Sequence, residues 1–306
     1  MTVDAARSRK RITAITVVSV AVLVGLIGRS VVSDGENSAF VRWLPWLDEP
    51  AITLFYGDAT GHYLVPVSRT LSSDDVEPDA LVETLLAGPA DGSGLVILIP
   101  DGTAASSVAL EDGVLSVDLS GSYGARASEL THESVLQSMR SWPGVDTVAI
   151  TVDGIPLDFD STGHLIYFYD EAHDMLVARP TDMERPGDVL AEYLAGSGDP
   201  SLAGLPSDVE SLGVTLGSNE LLTLDFTFRD SLREYAIDHP SSVRRVLEGL
   251  IATFSTGFPE VSGVLLDFEG RNALGLGQCA NLLNTVQSQP EVLNDERLLS
   301  RYADTS

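Results

Sequence analysis

From Ala51 onward the apolar and polar positions fall into short repeating patterns. "ITLFYGD" alternates over 52–58, "ATGH" supplies a Gly-containing turn, and "YLVPVSR" resumes as a second strand. In "DALVETLLAG", 79–88, Leu81, Val82, Leu85 and Leu86 recur at helical spacing, and Gly88-Pro89 ends the run. "VALEDGVLSVDL", 108–119, reads as a hairpin. Val108 and Leu110 share a face with Leu115, Val117 and Leu119, and Asp112-Gly113 tolerates the positive φ of a tight turn. A second helix falls between 125 and 141, Pro143-Gly144 stops it, and "TVAITVDG" closes the unit as a strand. The predicted order is ββαββαβ.

The pattern then returns. "LIYFYDEAHDMLVARP" follows the first strand pair, and "DVLAEYLAGSGDPSLAGLP" shares Leu-Ala-Gly with the first helix. "VTLGSNELLTLDF" repeats the hairpin with Ser218-Asn219 in its turn, and "GLIATFSTGFPEVSGVLLDFEG" repeats the last helix and strand. An offset of about 106–116 residues is too long for a solenoid and marks an internal duplication. Two α+β domains are expected, 50–157 and 163–270, joined near "DFDSTG", 158–163. The tail, 271–306, hints at a short helix around Leu282, Leu283 and Val286; after Pro290 it is polar and is expected to be partly disordered.

Ahead of the repeats, residues 12–28 carry no charge, and "RSRKR" precedes them. At a rise of roughly 1.5 Å per residue they would span about 25 Å. This predicts an uncleaved transmembrane helix, with residues 1–29 as basic tail and anchor; a cleaved signal peptide is the rival reading. The expected topology is single-pass in the cell membrane, with a cytoplasmic N-terminus and extracytoplasmic domains. No cysteine stands directly after the apolar run, so lipoprotein processing is not expected. Residues 30–49 read as a linker in which Phe40, Trp43 and Trp46 are candidate partner contacts, either with a partner or with the first domain.

Charge narrows the partners. The 306 residues carry a net charge of −27, with 18 basic residues against 45 acidic ones. Such a surface repels phosphate backbones, which excludes nucleic acid, and favours partners with basic surfaces. Lys10 is the only lysine and precedes the apolar run, so no Ser–Lys or Schiff-base chemistry is expected in the domains. Gly-x-Ser-x-Gly is absent, and the five histidines form neither His-x-His nor His-Glu-x-x-His. His62 and His173 occupy comparable turns and read best as polar turn residues. The acids Asp74, Asp75, Glu111, Asp112, Asp118 and Asp225 read as solvated positions; none follows a calcium-loop pattern. Cys279 is a single cysteine and forms no disulfide within the chain. No catalytic residue, metal or cofactor is expected.

Together "LFYGDATGHYLVPVSR", "LLAGPADGSGL", "IPDGT", "VALEDGVLSVDLS" and "WPGVDTVAITVDG" cover 52–154 and resemble the GerMN domain; the second copy, 165–270, is a degenerate version of it. The resemblance implies an α+β module similar to the ring-building motif of secretion machinery, without recognised catalytic residues. It also implies a docking or assembly role in the cell envelope, in sporulation, spore germination or cell-wall-associated complexes. The alternative is an accessory or sensory module regulating a membrane kinase or transporter, and a cell-wall glycan hydrolase ranks last. Oligomeric assembly is compatible with the first.

Overall fold

The computed structural model describes residues 51–70, 77–157, 159, 161, 163–269, 276–283, 285–290 and 292–299. All of them fall in the second of two compact units of the chain, Pro50–Ser306.

The first repeat runs β1 (Ala51–Gly57), β2 (Leu64–Thr70), α1 (Pro78–Ala87), β3 (Ala105–Glu111), β4 (Val114–Leu119), α2 (Gly121–Arg126), α3 (Glu129–Arg140), β5 (Thr147–Val152) and β6 (Ile155–Pro156). The second follows the same plan: β7 (His164–Asp170), β8 (Met175–Thr181), α4 (Pro186–Ala195), β9 (Leu202–Ala203), β10 (Ser211–Leu216), β11 (Leu221–Phe226), α5 (Asp230–Asp238), α6 (Pro240–Gly257) and β12 (Gly263–Phe268). A 3-10 turn (Gly277–Leu282), β13 (Val286–Gln287) and α7 (Glu296–Leu299) complete the described chain.

Local chemistry sets these boundaries. Pro78 and Pro186 occupy the first turns of α1 and α4, where the missing N–H costs nothing. Ser128 caps α3 by accepting from Thr131 N–H, and Thr131 returns the bond to the Ser128 N–H. The helix expected between 125 and 141 is α3, and this cap separates it from the short α2 before it. Asp112 and Gly113 both hold positive φ in the β3–β4 turn, at 49° and 79°.

The repeats share a sheet. Its order is β1-β2-β8-β7-β9, so β2 of one copy lies against β8 of the other, antiparallel with Leu64 opposite Ala178. Each copy adds a lateral sheet, β3-β4-β5-β6 or β10-β11-β12, the second completed by β13 of the tail, with β4–β5 and β11–β12 parallel. Strand alternation sorts the shared sheet's side chains into two cores. Ile52, Leu54, Tyr56, Val65, Val67, Ile166, Phe168 and Val177 join α1, α4 and the lateral sheets on one face. Phe55, Leu64, Tyr167, Leu176 and Ala178 join Val246 and Ala252 of α6 on the other.

The free edges of the shared sheet are covered, along β1 and along β7 beyond the two residues that β9 pairs. Phe55 N–H donates to Ser138 Oγ at 2.9 Å and Thr53 N–H to Ser141 Oγ at 3.1 Å, while the Ser134 hydroxyl donates to Phe55 O. In the second copy Tyr167 N–H donates to Thr253 Oγ1 of α6 at 3.1 Å. Helix hydroxyls thus stand in for a missing neighbour strand.

Among the described residues no helix is long and apolar enough to cross a membrane. The longest, α6, has 18 residues and is amphipathic. Leu247, Leu250 and Phe254 are buried, while Arg244 and Arg245 pair with Glu248 at 2.8 and 3.0 Å. This corrects the expected fold class, which placed a transmembrane helix before the repeats. It also removes the support for membrane contact through 12–28, for the single-pass topology and localisation, and for a membrane-anchored function. Residues 12–28, like Phe40, Trp43 and Trp46, lie outside the described residues.

Candidate functional site at the junction of the repeats

The joint between β2 and β8 is completed by the end of the chain. Asn294 lies over it, 3% exposed. Its Nδ2 donates to Pro66 O at 2.7 Å and to Leu176 O at 2.8 Å, and its Oδ1 accepts from Leu176 N–H at 2.8 Å. One carboxamide therefore satisfies backbone groups of both repeats. Ser68 N–H donates to Asn294 O at 3.1 Å, and Leu293 N–H donates to Ser68 Oγ at 3.3 Å. Arg245 of α6 donates to Leu293 O and to Asn294 Oδ1 at 2.9 and 3.0 Å. Two residues on, Glu296 accepts from Arg69 Nε and Nη2 at 2.8 and 2.6 Å, and from Ala90 N–H at 2.6 Å. The Arg69–Glu296 contact is the forked pair that guanidinium geometry favours.

A cavity of about 350 Å³ lies on the α1/α4 side of this joint. Both hairpin turns line it, as do the loops after α1 and α4, Met175 and Val177 of β8, and Leu299. Each turn carries an inward aspartate. Asp58 accepts from the N–H groups of Thr60, His62 and Tyr63 at 3.1, 2.8 and 2.8 Å. Asp170 accepts from Ala172 and His173 N–H at 3.0 and 3.2 Å, and His173 Nδ1 lies 2.7 Å from its Oδ2. The likeness of His62 and His173 is thus one of backbone caps. In the loop after α4, the hydroxyl and N–H of Ser201 hold Asp199 below the usual carboxylate range. Tyr63, its hydroxyl raised first by burial and then by Asp199, spans from the first copy to the second. These carboxylates brace turns: Asp58 also accepts from the Thr60 hydroxyl, and Asp199 from that of Ser201.

The other acids do not converge. Asp74 and Asp75 lie outside the described residues. Glu111 and Asp112 sit at a hairpin tip, and Asp118 stands at the far end of β4. Asp118 accepts from the Ser106 and Thr151 hydroxyls and from Gly154 N–H, which together hold it ionised below the usual range. The same position in the second copy, Asp225, is in register with Asp267 instead of a threonine, and its Oδ1 is buried without a hydrogen-bond partner among the described residues. Among the described residues no group of three or more His, Cys, Asp or Glu side chains is placed to hold a metal ion. Cys279 is buried, which raises its thiol pKa.

Sequence reasoning missed the residues at the joint. Asn294 and Glu296 sit in a polar stretch without apolar period, and their partners lie 49 to 228 residues away. The only signal the sequence offers there is Arg69, the one charge in β2.

Comparison with known proteins follows the same outline. Residues 53–158 match the family described as "Germane: Sporulation and spore germination". No curated protein matches the chain. Among solved structures, the tandem GerMN domains of the sporulation protein GerM from Bacillus subtilis are similar, with a TM-score of 0.56 and 18% identity. That match covers 80% of this chain and 99% of the other. The first GerMN domain of the same protein, taken alone, is 22% identical over 35% of this chain and 85% of its own length, with a TM-score of 0.30. The chain therefore matches the GerMN domain family over residues 53–158, and its fold resembles that of the tandem GerMN protein GerM.

Proposed function

We propose that this chain is a non-catalytic docking module for protein assemblies of the cell envelope, of the kind that serve sporulation or spore germination. The observation that carries the reading is the state of the sheet edges. The shared sheet closes β1 and the part of β7 beyond β9 with helix hydroxyls, whereas β3 and β10, equivalent strands at the edges of the lateral sheets, pair on their outer sides with no other described strand. Leu212 and Leu216 on β10 are 54% and 43% exposed. An open edge with unpaired N–H and C=O groups beside exposed leucines accepts another chain. The setting is supported by the family description and by the sporulation protein whose fold this chain shares. The net charge of −27 favours basic partner surfaces and encounters that weaken with salt. Phe40, Trp43 and Trp46 belong to the same proposal as aromatic contacts.

Crosslinking in intact cells, followed by identification of the attached proteins, tests the reading. Recovery of envelope proteins that are lost from a Leu212→Lys/Leu216→Lys variant is the expected result. Purified chain that turns over cell-wall glycan, with no crosslinked protein recovered, would overturn it.

A further inference from the structure

The clasp formed by Leu293, Asn294 and Glu296 has the properties of a bound peptide. All its side-chain and main-chain partners named above come from the body of the fold: Pro66, Ser68, Arg69 and Ala90 from the first copy, Leu176 and Arg245 from the second. The body therefore offers a complete groove. Its demands are specific. Two carbonyls and one N–H converge on a single side chain, and only a primary carboxamide supplies two donors and an acceptor together. A carboxylate two residues later meets the Arg69 fork. A buried leucine on each side, Leu293 and Leu299 at 3% and 4% exposure, fills apolar space.

We infer that the joint between β2 and β8 is a peptide-binding groove for a Leu-Asn-x-Glu segment, and that it accepts this segment from a second copy of the chain as well as from its own. The stretch leading into the segment contains exposed Ser288 and Gln289, then Pro290, and can serve as a hinge. Reciprocal exchange reproduces every clasp contact between copies and closes a two-fold dimer, so the two forms differ chiefly in the hinge and in the entropy of association. The inference rests on the geometry of the joint and goes beyond the docking role: it states how copies of the module join one another.

The bridge between Ser68 and Asp295 provides the test, because residues paired in register are close enough for a disulfide. In the full chain, Ser68→Cys/Asp295→Cys is expected to oxidise within one molecule. A mass-tagged Ser68→Cys chain mixed with an untagged Asp295→Cys chain is expected to yield a disulfide-linked heterodimer. A synthetic peptide of residues 290–300 should suppress that heterodimer, and the same peptide with alanine in place of Asn294 should not. Cys279 is buried and does not compete. Failure of the double variant to close would overturn the register. Closure of the double variant without any heterodimer in the mixture would overturn exchange. Equal effects of the two peptides would overturn recognition through Asn294. None of these outcomes depends on whether envelope partners are recovered by crosslinking in cells.

Discussion

The residue pair that most directly links the two copies is Gly88 and Gly196. Both end the shared Leu-Ala-Gly run, and both sit at φ 88° with ψ near 180°. That region is open to glycine alone and costs other residues about 1–3 kcal/mol. Around Gly196 a Cβ would meet nothing within 4 Å, so the cost there is purely conformational. Gly196→Ala is expected to lower stability by about 1–3 kcal/mol in denaturant titration without changing the fold; a neutral result would refute the strained-cap account. The motif was legible as a repeat, but its reason is a dihedral angle. His132 makes the second case. Its Nδ1 lies 2.8 Å from the Tyr123 hydroxyl, and its ring packs against Tyr123 and Phe159. Burial lowers its pKa below the ordinary histidine value of about 6.5, with Glu129 opposing in part. A base with a depressed folded pKa leaves the unfolded chain binding more protons just below the ordinary value. Its contribution is therefore intact above about pH 6.5 and is lost as pH falls through the folded pKa. Wild-type stability should fall on acidification from pH 7 more steeply than that of His132→Asn. Parallel curves for the two proteins would discount this histidine.

At the scale of elements, the hairpins, the main helices and their order follow from alternation, helical spacing and turn residues. "VALEDGVLSVDL" became β3 and β4, and its echo became β10 and β11. What alternation does not carry is the identity of the neighbour. Nothing in "LVPVSRT" states that β2 will meet β8 across more than a hundred residues, because either partner accepts the same apolar face. Helix hydroxyls at strand edges were equally hidden. Ser134, Ser138 and Ser141 read as polar residues in a helix until the position of β1 is known. The contrast between covered and open edges makes an element-scale prediction. Leu212→Lys/Leu216→Lys changes exposed positions, so each replacement should alter stability by no more than about 0.5 kcal/mol. The same double change puts positive charge along β10 and should reduce capture of basic partners. Loss of folding, read by circular dichroism, would show that these leucines belong to the core and not to an interface.

For the whole molecule, the shared sheet decides how stability is organised. Two α+β domains, each with its own strands and helices, would each carry a core of its own. The structure instead unites them: Leu81 and Leu85 of α1 and Val189, Leu190 and Tyr193 of α4 belong to one continuous cluster. On the opposite face of the sheet, Leu64 of the first copy packs with Leu176 and Ala178 of the second and with Leu293 of the clasp. Separating the copies would strip β2 and β8 of a neighbour and leave Pro66 O, Leu176 O and Leu176 N–H without the Asn294 carboxamide. Neither copy can open without that loss, so unfolding should be cooperative across both. Leu85 and Tyr193, 1% and 2% exposed, report on opposite copies. Leu85→Ala and Tyr193→Ala should each cost about 2–5 kcal/mol. Each should lower a single transition, followed by fluorescence from Trp142 in the first copy and by hydrogen exchange in α6 of the second. Two separable transitions, with each substitution shifting only the one in its own half, would show that the copies fold as independent beads despite the sheet they share.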